Sequence, residues 1–200
     1  MNCDDGAVGE DWRPCVSGLA RASRWLSKRE KDPGKGITMT KATTDTDSAR
    51  QELADLLAPV VTMLAVSKLD AECEARLNAM FGPDSLFALK MFNFCRAAIE
   101  DGWMCSRGEP DLRYGRVIKA STLCAAFSVD IVVMSDVVGP EHTHPAGEAD
   151  LVLPLNPHAR FDGRPAGWVV YPPGSSHAPT VTEGSAIVLY LLPDGAIDFH

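Results

Sequence analysis

The histidines of this sequence are concentrated near its C-terminus, where their spacing suits metal binding. The chain contains five histidines, and none precedes His142. His142 and His144 are two residues apart, so on a β-strand both side chains point to the same face. Glu148 follows a Pro-Ala-Gly turn that can return its carboxylate to the same point, and His177 follows the turn at 172–174. Three imidazoles and one carboxylate are a suitable ligand set for a divalent first-row metal.

The other histidines and one further acid are weaker candidates. We expect His158 at the surface because it follows Asn156-Pro157 in a predicted loop, and His200 is the last residue. Asp150 lies two residues beyond Glu148, so it can face the same cavity. It is either a hydrogen-bond partner of a ligating histidine or a surface acid, and the sequence leaves both open.

The two histidine segments resemble the two-part motif of the cupin superfamily. The first reads H-x-H-x3-E, and the second, P-x-G-x-x-H, follows later in the chain. The resemblance implies a small β-barrel that binds one divalent metal, Fe²⁺, Mn²⁺, Zn²⁺ or Ni²⁺, through four residues: His142, His144, Glu148 and His177. The sequence departs from the family pattern at two positions. Gly139 lies closer to His142 than the usual glycine, and Thr180 follows His177 where an asparagine often ends the motif.

The C-terminal part is more specifically similar to the small cupin-like family of 4-hydroxylaminobenzoate lyases. The segments 167–181 and 186–199 carry this similarity, which extends over 48–200. It implies a metal-dependent lyase that converts 4-hydroxylaminobenzoate to 3,4-dihydroxybenzoate and releases ammonia. Three residues are then candidates for the catalytic roles: Glu148, His177 and Tyr171.

A benzoate substrate also requires contacts for its carboxylate and its ring. Arginine binds carboxylates with bidentate geometry, and Arg113 and Arg116 lie on the segment that enters the predicted barrel. Ordinary surface positions are the alternative for both. Trp168 and Tyr171 are candidates for stacking on the ring or donating a hydrogen bond, with core packing as the alternative.

The same ligands fit two other functions. One is a mononuclear non-haem iron dioxygenase that acts on a small aromatic or carboxylic substrate, and a requirement for oxygen would favour it. The other is a non-enzymatic cupin that binds a small ligand or acts as a regulator, although the chain lacks a helix-turn-helix pattern with basic flanks. The cupin resemblance also implies a homodimer.

The elements that must position these residues begin with three predicted helices. Ser48 and Gln51 form a capping box, which predicts that the first helix starts at Ser48 and is kinked at Pro59. Apolar residues at helical spacing predict a second helix over 70–82 and a third over 84–101. We interpret these apolar stripes as core packing.

The pattern changes to β-structure from Tyr114 onward. Short apolar runs with a period of two alternate with turn clusters, which is typical of an antiparallel sandwich or barrel. The predicted fold is α+β and mainly β, with a helical N-terminal half followed by a small antiparallel β-barrel of the cupin or jelly-roll type. We divide the chain into a flexible or weakly ordered N-terminal extension (1–47), a helical segment that packs on the barrel (48–113) and the barrel with the metal site (114–200).

Charge and composition exclude several classes of partner. The net charge is −8 at pH 7, and 1–47 contain eight basic and eight acidic residues, so the acidity belongs to the remainder. Nucleic acids and anionic membranes bind basic surfaces, so neither is expected as a partner. We find no secretory signal and no apolar run of about 18 residues, and we interpret the six cysteines as free, mostly buried thiols. These features predict a cytoplasmic protein.

The N-terminal extension yields two further expectations. A short helix is predicted over 12–27 and a loop over 31–36. Met39 is followed by text typical of a protein start, which gives the hypothesis that Met39 is the true initiator.

Overall fold

The structure is a computed structural model that describes residues 43–199. The predictions for 12–27, 31–36, Met39 and His200, and all but the last residues of the 1–47 extension, lie outside the described residues.

Three helices precede the strands in the described part of the chain: α1 (Thr43–Leu64), α2 (Ala71–Phe81) and α3 (Leu86–Glu100). The second and third predicted helices are confirmed. The Asp70 carboxylate accepts two backbone N–H groups at the start of α2, and Ser85, one residue after the predicted Asp84, caps α3. Gly102 follows the C-cap of α3 with a φ of +80°, which favours glycine there.

The prediction that α1 begins at Ser48 is wrong, because the helix already begins at Thr43. The Gln51 side chain donates to Asp55 at 2.9 Å, one turn ahead, rather than back to Ser48. Asp47 forms an ion pair with Arg50 at 2.7 Å. Negative charge is favourable near a helix N-terminus, so the acidic segment before Ser48 supports additional helical turns.

Ten strands follow in the described residues: β1 (Arg107–Glu109), β2 (Leu112–Ile118), β3 (Phe127–Val138), β4 (His142–His144), β5 (Glu148–Pro154), β6 (Arg160–Phe161), β7 (Gly167–Tyr171), β8 (Ser175–His177), β9 (Thr180–Pro193) and β10 (Asp198–Phe199). The α+β, mainly β fold class is confirmed. The strands begin at Arg107, before the predicted start at Tyr114. All three residues of β1 are exposed, so this strand lacks the apolar alternation that identifies the others.

The strands form two antiparallel sheets. The larger sheet has the order β1-β2-β3-β9-β5-β7, with β6 also paired to β9, and the smaller sheet has the order β10-β4-β8. Among the described residues no ladder joins the two sheets, so the predicted antiparallel barrel of the cupin or jelly-roll type takes the form of an open sandwich. The strands of the smaller sheet are two or three residues long and pair only with one another, which leaves the barrel unclosed.

The larger sheet has two different faces, because alternate residues of a strand point to opposite sides. The helix face packs against the helices through an apolar cluster that includes Met91 and Trp168. The inner face carries a second cluster that includes Phe161 and Tyr190. The smaller sheet meets the inner face, where the His177 ring lies edge-on to Phe161 with 6.2 Å between centroids.

Helix α2 covers the outer edge of β7, the last strand of the larger sheet. Asn78 donates from Nδ2 to the Trp168 carbonyl and accepts the Trp168 N–H on Oδ1, both at 2.8 Å. Glu74 accepts the Val170 N–H at 3.0 Å. Gly167 has a φ of +122°, and a Cβ there would lie 2.6 Å from Asn78 Oδ1. Side chains of α2 therefore satisfy the edge groups that a further strand would otherwise bond.

Four cysteines lie in the described residues, and all are buried free thiols as predicted: Cys73, Cys95, Cys105 and Cys124. In the same part of the chain, no helix combines the length and apolar character needed to cross a membrane.

Candidate metal centre

The pairing of β4 with β8 brings the two histidine motifs together. His142 lies opposite His177 in the register of these strands, and His144 shares the buried face of β4 with His142. One ring nitrogen from each of the three histidines lies within 4.8 Å of the others. His144 Nε2 and His177 Nε2 are 3.1 Å apart. The three imidazoles thus converge on one point between the sheets.

A tight turn places Glu148 next to two of the three histidines. Gly147 donates its N–H to the His144 carbonyl at 3.1 Å. Its φ is +83°, and a Cβ at this position would lie only 2.9 Å from the Leu69 side chain and from the Tyr171 carbonyl oxygen. Only glycine therefore fits the turn. Glu148 is fully buried at the start of β5, and its Oε2 lies 3.2 Å from His144 Nδ1 while its Oε1 lies 3.6 Å from His177 Nε2.

The atoms at this point fit a bound cation. Both carboxylate oxygens of Glu148 and Nδ1 of His144 are buried without a hydrogen bond of good geometry, which is costly unless another group satisfies them. Burial and the neighbouring His142 and His177 lower the pKa of His144 to about 3, so its imidazole stays in the neutral form that binds metals. Two buried imidazoles, one half-buried imidazole and a buried carboxylate are typical ligands of first-row divalent metals.

Burial raises the pKa of Glu148 to about 8 in the absence of a cation. A dication beside this carboxyl group would favour its ionised form. Asp150 lies next to Glu148 on the inner face and is itself fully buried, which excludes the surface-acid interpretation. Burial and the nearby Glu148 hold the pKa of Asp150 well above its usual range.

Asp162 also contacts the candidate site, although no motif of the sequence indicates it. Its Oδ2 lies 2.7 Å from His177 Nδ1 and accepts the Tyr171 hydroxyl at 2.6 Å, while its Oδ1 accepts the Thr180 N–H at 2.7 Å. Burial alone would raise the pKa of Asp162. The hydrogen bonds from His177, Tyr171 and Thr180 outweigh this effect and lower the pKa. A carboxylate bonded to the second nitrogen of a ligating imidazole fixes the tautomer and the ring orientation.

The Tyr171 side chain belongs to the same site. Its ring lies 4.4 Å from the His177 ring and stacks on His144 at 6.4 Å between centroids. The bond to Asp162 commits its hydroxyl, and burial together with that carboxylate raises the pKa of the phenol. The structure therefore places Tyr171 beside the histidines with its proton held toward Asp162.

A cavity of about 420 Å³ on the inner face extends to His142. Its walls are largely apolar or aromatic, with side chains such as Leu112, Tyr190 and Phe199. Arg116 lines this cavity, and its Nε lies 2.9 and 3.1 Å from the two carboxylate oxygens of Asp130.

Two of the proposed substrate-binding residues lie away from the cavity. Trp168 is on the helix face, where it stacks on Phe87 at 6.2 Å and donates from Nε1 to the Phe81 carbonyl at 3.0 Å. Arg113 alternates with the cavity-lining residues of β2 and lies near Cys105 on the opposite side of the strand. His158 is exposed, as predicted.

The antiparallel sandwich and the converging histidine motifs define a protein of the cupin class. The family model described as "PnbB: 4-hydroxylaminobenzoate lyase" matches residues 55–199, so the chain belongs to the 4-hydroxylaminobenzoate lyase family. A 4-hydroxylaminobenzoate lyase from Nocardioides sp. (strain LMS-CY) is 31% identical over 161 residues, which cover 76% of this chain and 95% of the relative. A protein of the same name from Pseudomonas putida is 29% identical over 167 residues, which cover 75% of this chain and 95% of that relative.

Solved structures resemble this fold more distantly. The DMSP lyase DddQ from Ruegeria pomeroyi has a TM-score of 0.39 and 17% identity, with 76% of this chain and 95% of that chain covered. A cupin-like protein from Thermotoga maritima has a TM-score of 0.31 and 15% identity, with 48% and 85% covered. Similarity at this level carries no argument about activity.

Proposed function

We propose that this protein converts 4-hydroxylaminobenzoate and water to 3,4-dihydroxybenzoate and ammonia. The observation that carries the proposal is the convergence of His142, His144 and His177 beside the inner cavity of a chain in this family, with Glu148 next to two of these histidines. The reaction is redox-neutral overall, because the N–O bond is reduced while the ring carbon that gains oxygen is oxidised. It therefore requires no external oxidant.

The four inward-facing residues would hold one divalent metal. Such a metal supplies Lewis acidity, either toward the N–OH oxygen that leaves as water or toward a water that provides the oxygen nucleophile. The chain contributes neutral imidazoles, which leave the positive charge of the metal available to the substrate. These ligands suit Fe²⁺, Mn²⁺, Zn²⁺ and Ni²⁺, and metal analysis of the native protein distinguishes them.

Further residues of the chain orient this site. We infer that Asp162 holds His177 Nδ1 and that Tyr171 holds Asp162, so that Nε2 of His177 stays directed at the ligand point. Glu148 contributes the carboxylate that balances the charge of the metal. The largely apolar walls of the cavity suit an aromatic ring.

Turnover in the absence of oxygen tests the reaction. We expect the metal-loaded protein to release one ammonia and form one 3,4-dihydroxybenzoate per substrate under argon. If the reaction instead requires O₂ and incorporates ¹⁸O from it, the protein is a dioxygenase and the proposal is wrong. Metal binding without turnover of any aromatic acid would instead favour the non-enzymatic cupin.

Metal content tests the site independently of activity. We expect about one metal per chain in the wild type and a marked loss in His144→Ala. His158→Ala is the matched control, because His158 is exposed and outside the cluster. Unchanged metal content in His144→Ala would contradict the assignment. A homodimer and a cytoplasmic location remain predictions of the family resemblance and the composition.

A further inference from the structure

The inner cavity is lined by three charged side chains, and two of them neutralise each other. Arg116 binds both carboxylate oxygens of Asp130, and its Nη2 also donates to the Gly195 carbonyl at 3.3 Å. The third is Arg107 on β1. Within residues 43–199, no carboxylate lies at ion-pair distance from Arg107. The charged side chains of the lining therefore leave one positive charge, which matches a monoanionic ligand.

Arg107 and His142 of the histidine cluster both line the cavity, and they lie on different sheets. Arg107 is on β1, the first strand in the order of the larger sheet, opposite Tyr114 of β2. Glu148 and Tyr171, which contact the histidines, are on β5 and β7 at the other end of that order. Most other residues that line the cavity are apolar or aromatic. A ligand in this cavity can therefore contact both the Arg107 side chain and the histidine cluster at His142.

This arrangement matches a flat aromatic acid whose carboxylate lies opposite its reactive group. We propose that Arg107 binds the substrate carboxylate and thereby selects aromatic monoacids with the reacting nitrogen in the para position. The proposal rests on the proposed function for the identity of the reacting group. Guanidinium groups bind carboxylates through two parallel hydrogen bonds, which fixes orientation as well as charge.

Arg116 is less suited to this contact. Its Nε and Nη2 are already bonded to Asp130 and Gly195, and its charge is balanced by the aspartate. Asp130 Oδ2 also accepts the Ser128 hydroxyl at 2.9 Å, which further fixes the pair. A substrate carboxylate at Arg116 would lie close to Asp130 and be repelled by it.

Steady-state kinetics with two substrates test the proposal. In Arg107→Met we expect the KM for 4-hydroxylaminobenzoate to rise about 10–100-fold, with a smaller change in kcat. The kcat/KM for phenylhydroxylamine, which lacks the carboxylate, should remain unchanged in the same variant. The KM of Arg107→Lys for 4-hydroxylaminobenzoate should lie between the values for the wild type and Arg107→Met, because lysine keeps the charge but loses the bidentate geometry. The matched control is Arg76→Met, an exposed arginine on α2.

An unchanged KM in Arg107→Met, or an equal loss with both substrates, would overturn the assignment. Binding of benzoate to the metal-loaded protein separates this test from the proposed reaction, because it requires no turnover. We expect the benzoate Kd to rise in Arg107→Met and not in Arg76→Met, even if the hydroxylamine is not the substrate. No benzoate binding by the wild type, or equal Kd values in wild type and Arg107→Met, would refute the role of Arg107.

Discussion

Asp162 Oδ2 lies 2.7 Å from Nδ1 of His177, while Nε2 of the same ring faces His144 at 3.1 Å. The two nitrogens of His177 therefore serve different purposes. One is held by a carboxylate from the loop after β6, and the other points to the place where the ligands converge. Because the aspartate fixes the ring, its substitution should weaken the site without removing any direct ligand.

We predict that Asp162→Asn lowers metal affinity about 10–100-fold. Asparagine keeps the size of the side chain but removes the negative charge that favours the required His177 tautomer. Competition with a chelator of known affinity measures the change. Asp194→Asn is the matched control. Asp194 is exposed, and its φ of 54° is positive like that of Asp162, 48°. Equal affinities for Asp162→Asn and wild type would show that the carboxylate does not support the ligand.

Two aromatic residues on β7 should respond differently to substitution. Trp168→Phe removes the hydrogen bond to the Phe81 carbonyl on the helix face, so we expect the free energy of unfolding to fall by about 1–3 kcal/mol. Its KM and metal affinity should stay at the wild-type values. Tyr171→Phe removes the hydroxyl bound to Asp162 on the inner face and should weaken metal binding. Urea unfolding, kinetics and metal titration of both variants check this, and a raised KM for Trp168→Phe alone would contradict it.

The contact between α2 and β7 should contribute substantially to stability. Asn78→Ala leaves the N–H and the carbonyl of Trp168 without their partner, so we expect a loss of about 2–4 kcal/mol. Chemical denaturation of the variant measures this loss. Asn93→Ala provides the control, because Asn93 is an exposed asparagine within α3. Similar midpoints for the two variants would disprove the role of the Asn78 side chain.

The buried thiols should show a distinct dependence on pH. Burial raises the pKa of Cys95 to about 12 and that of Cys105 to about 11, from 9.0. Since the thiolate is the reactive form, both should resist iodoacetamide in the native protein up to pH 9.5 and react readily in urea near pH 9. Mass spectrometry of the peptides that contain them measures the rates, and equal rates in both states would contradict the burial.

The same shifts give the sign of an effect on stability. The unfolded chain releases these thiol protons near pH 9, whereas the folded chain retains them to higher pH. The stabilisation from the buried neutral thiols is therefore complete below pH 9 and decreases as the pH rises toward 11 or 12.

The sequence was sufficient to predict that three histidines lie close together, because they come from two short motifs. Both His142 and His144 follow from strand alternation, and the turn to Glu148 is confirmed by the backbone of Gly147. The contact of Asp162 with the site could not be predicted, because an Asp-Gly pair indicates a turn and carries no information about a distant histidine. Its contact with His177 depends on how β6, β8 and β9 are arranged.

The substrate-binding candidates illustrate a second limit. Trp168 and Tyr171 belong to the same strand, and their odd spacing places them on opposite faces. Which face meets the histidines depends on where the helices pack, and this is a tertiary property. The sequence around Arg107 did not indicate a position in the cavity either. Strand β1 is short and exposed, and its position depends on pairing with β2.

The cover that α2 gives to β7 also affects how this protein behaves in concentrated solution. An uncovered outer strand offers unpaired backbone groups to a second molecule and can start intermolecular sheet growth. Here Asn78 and Glu74 bond those groups within the chain, as a side-chain substitute for a neighbouring strand. Helix α2 should therefore protect the protein from aggregation. Its removal would expose the unpaired backbone groups of β7, the strand that carries Tyr171.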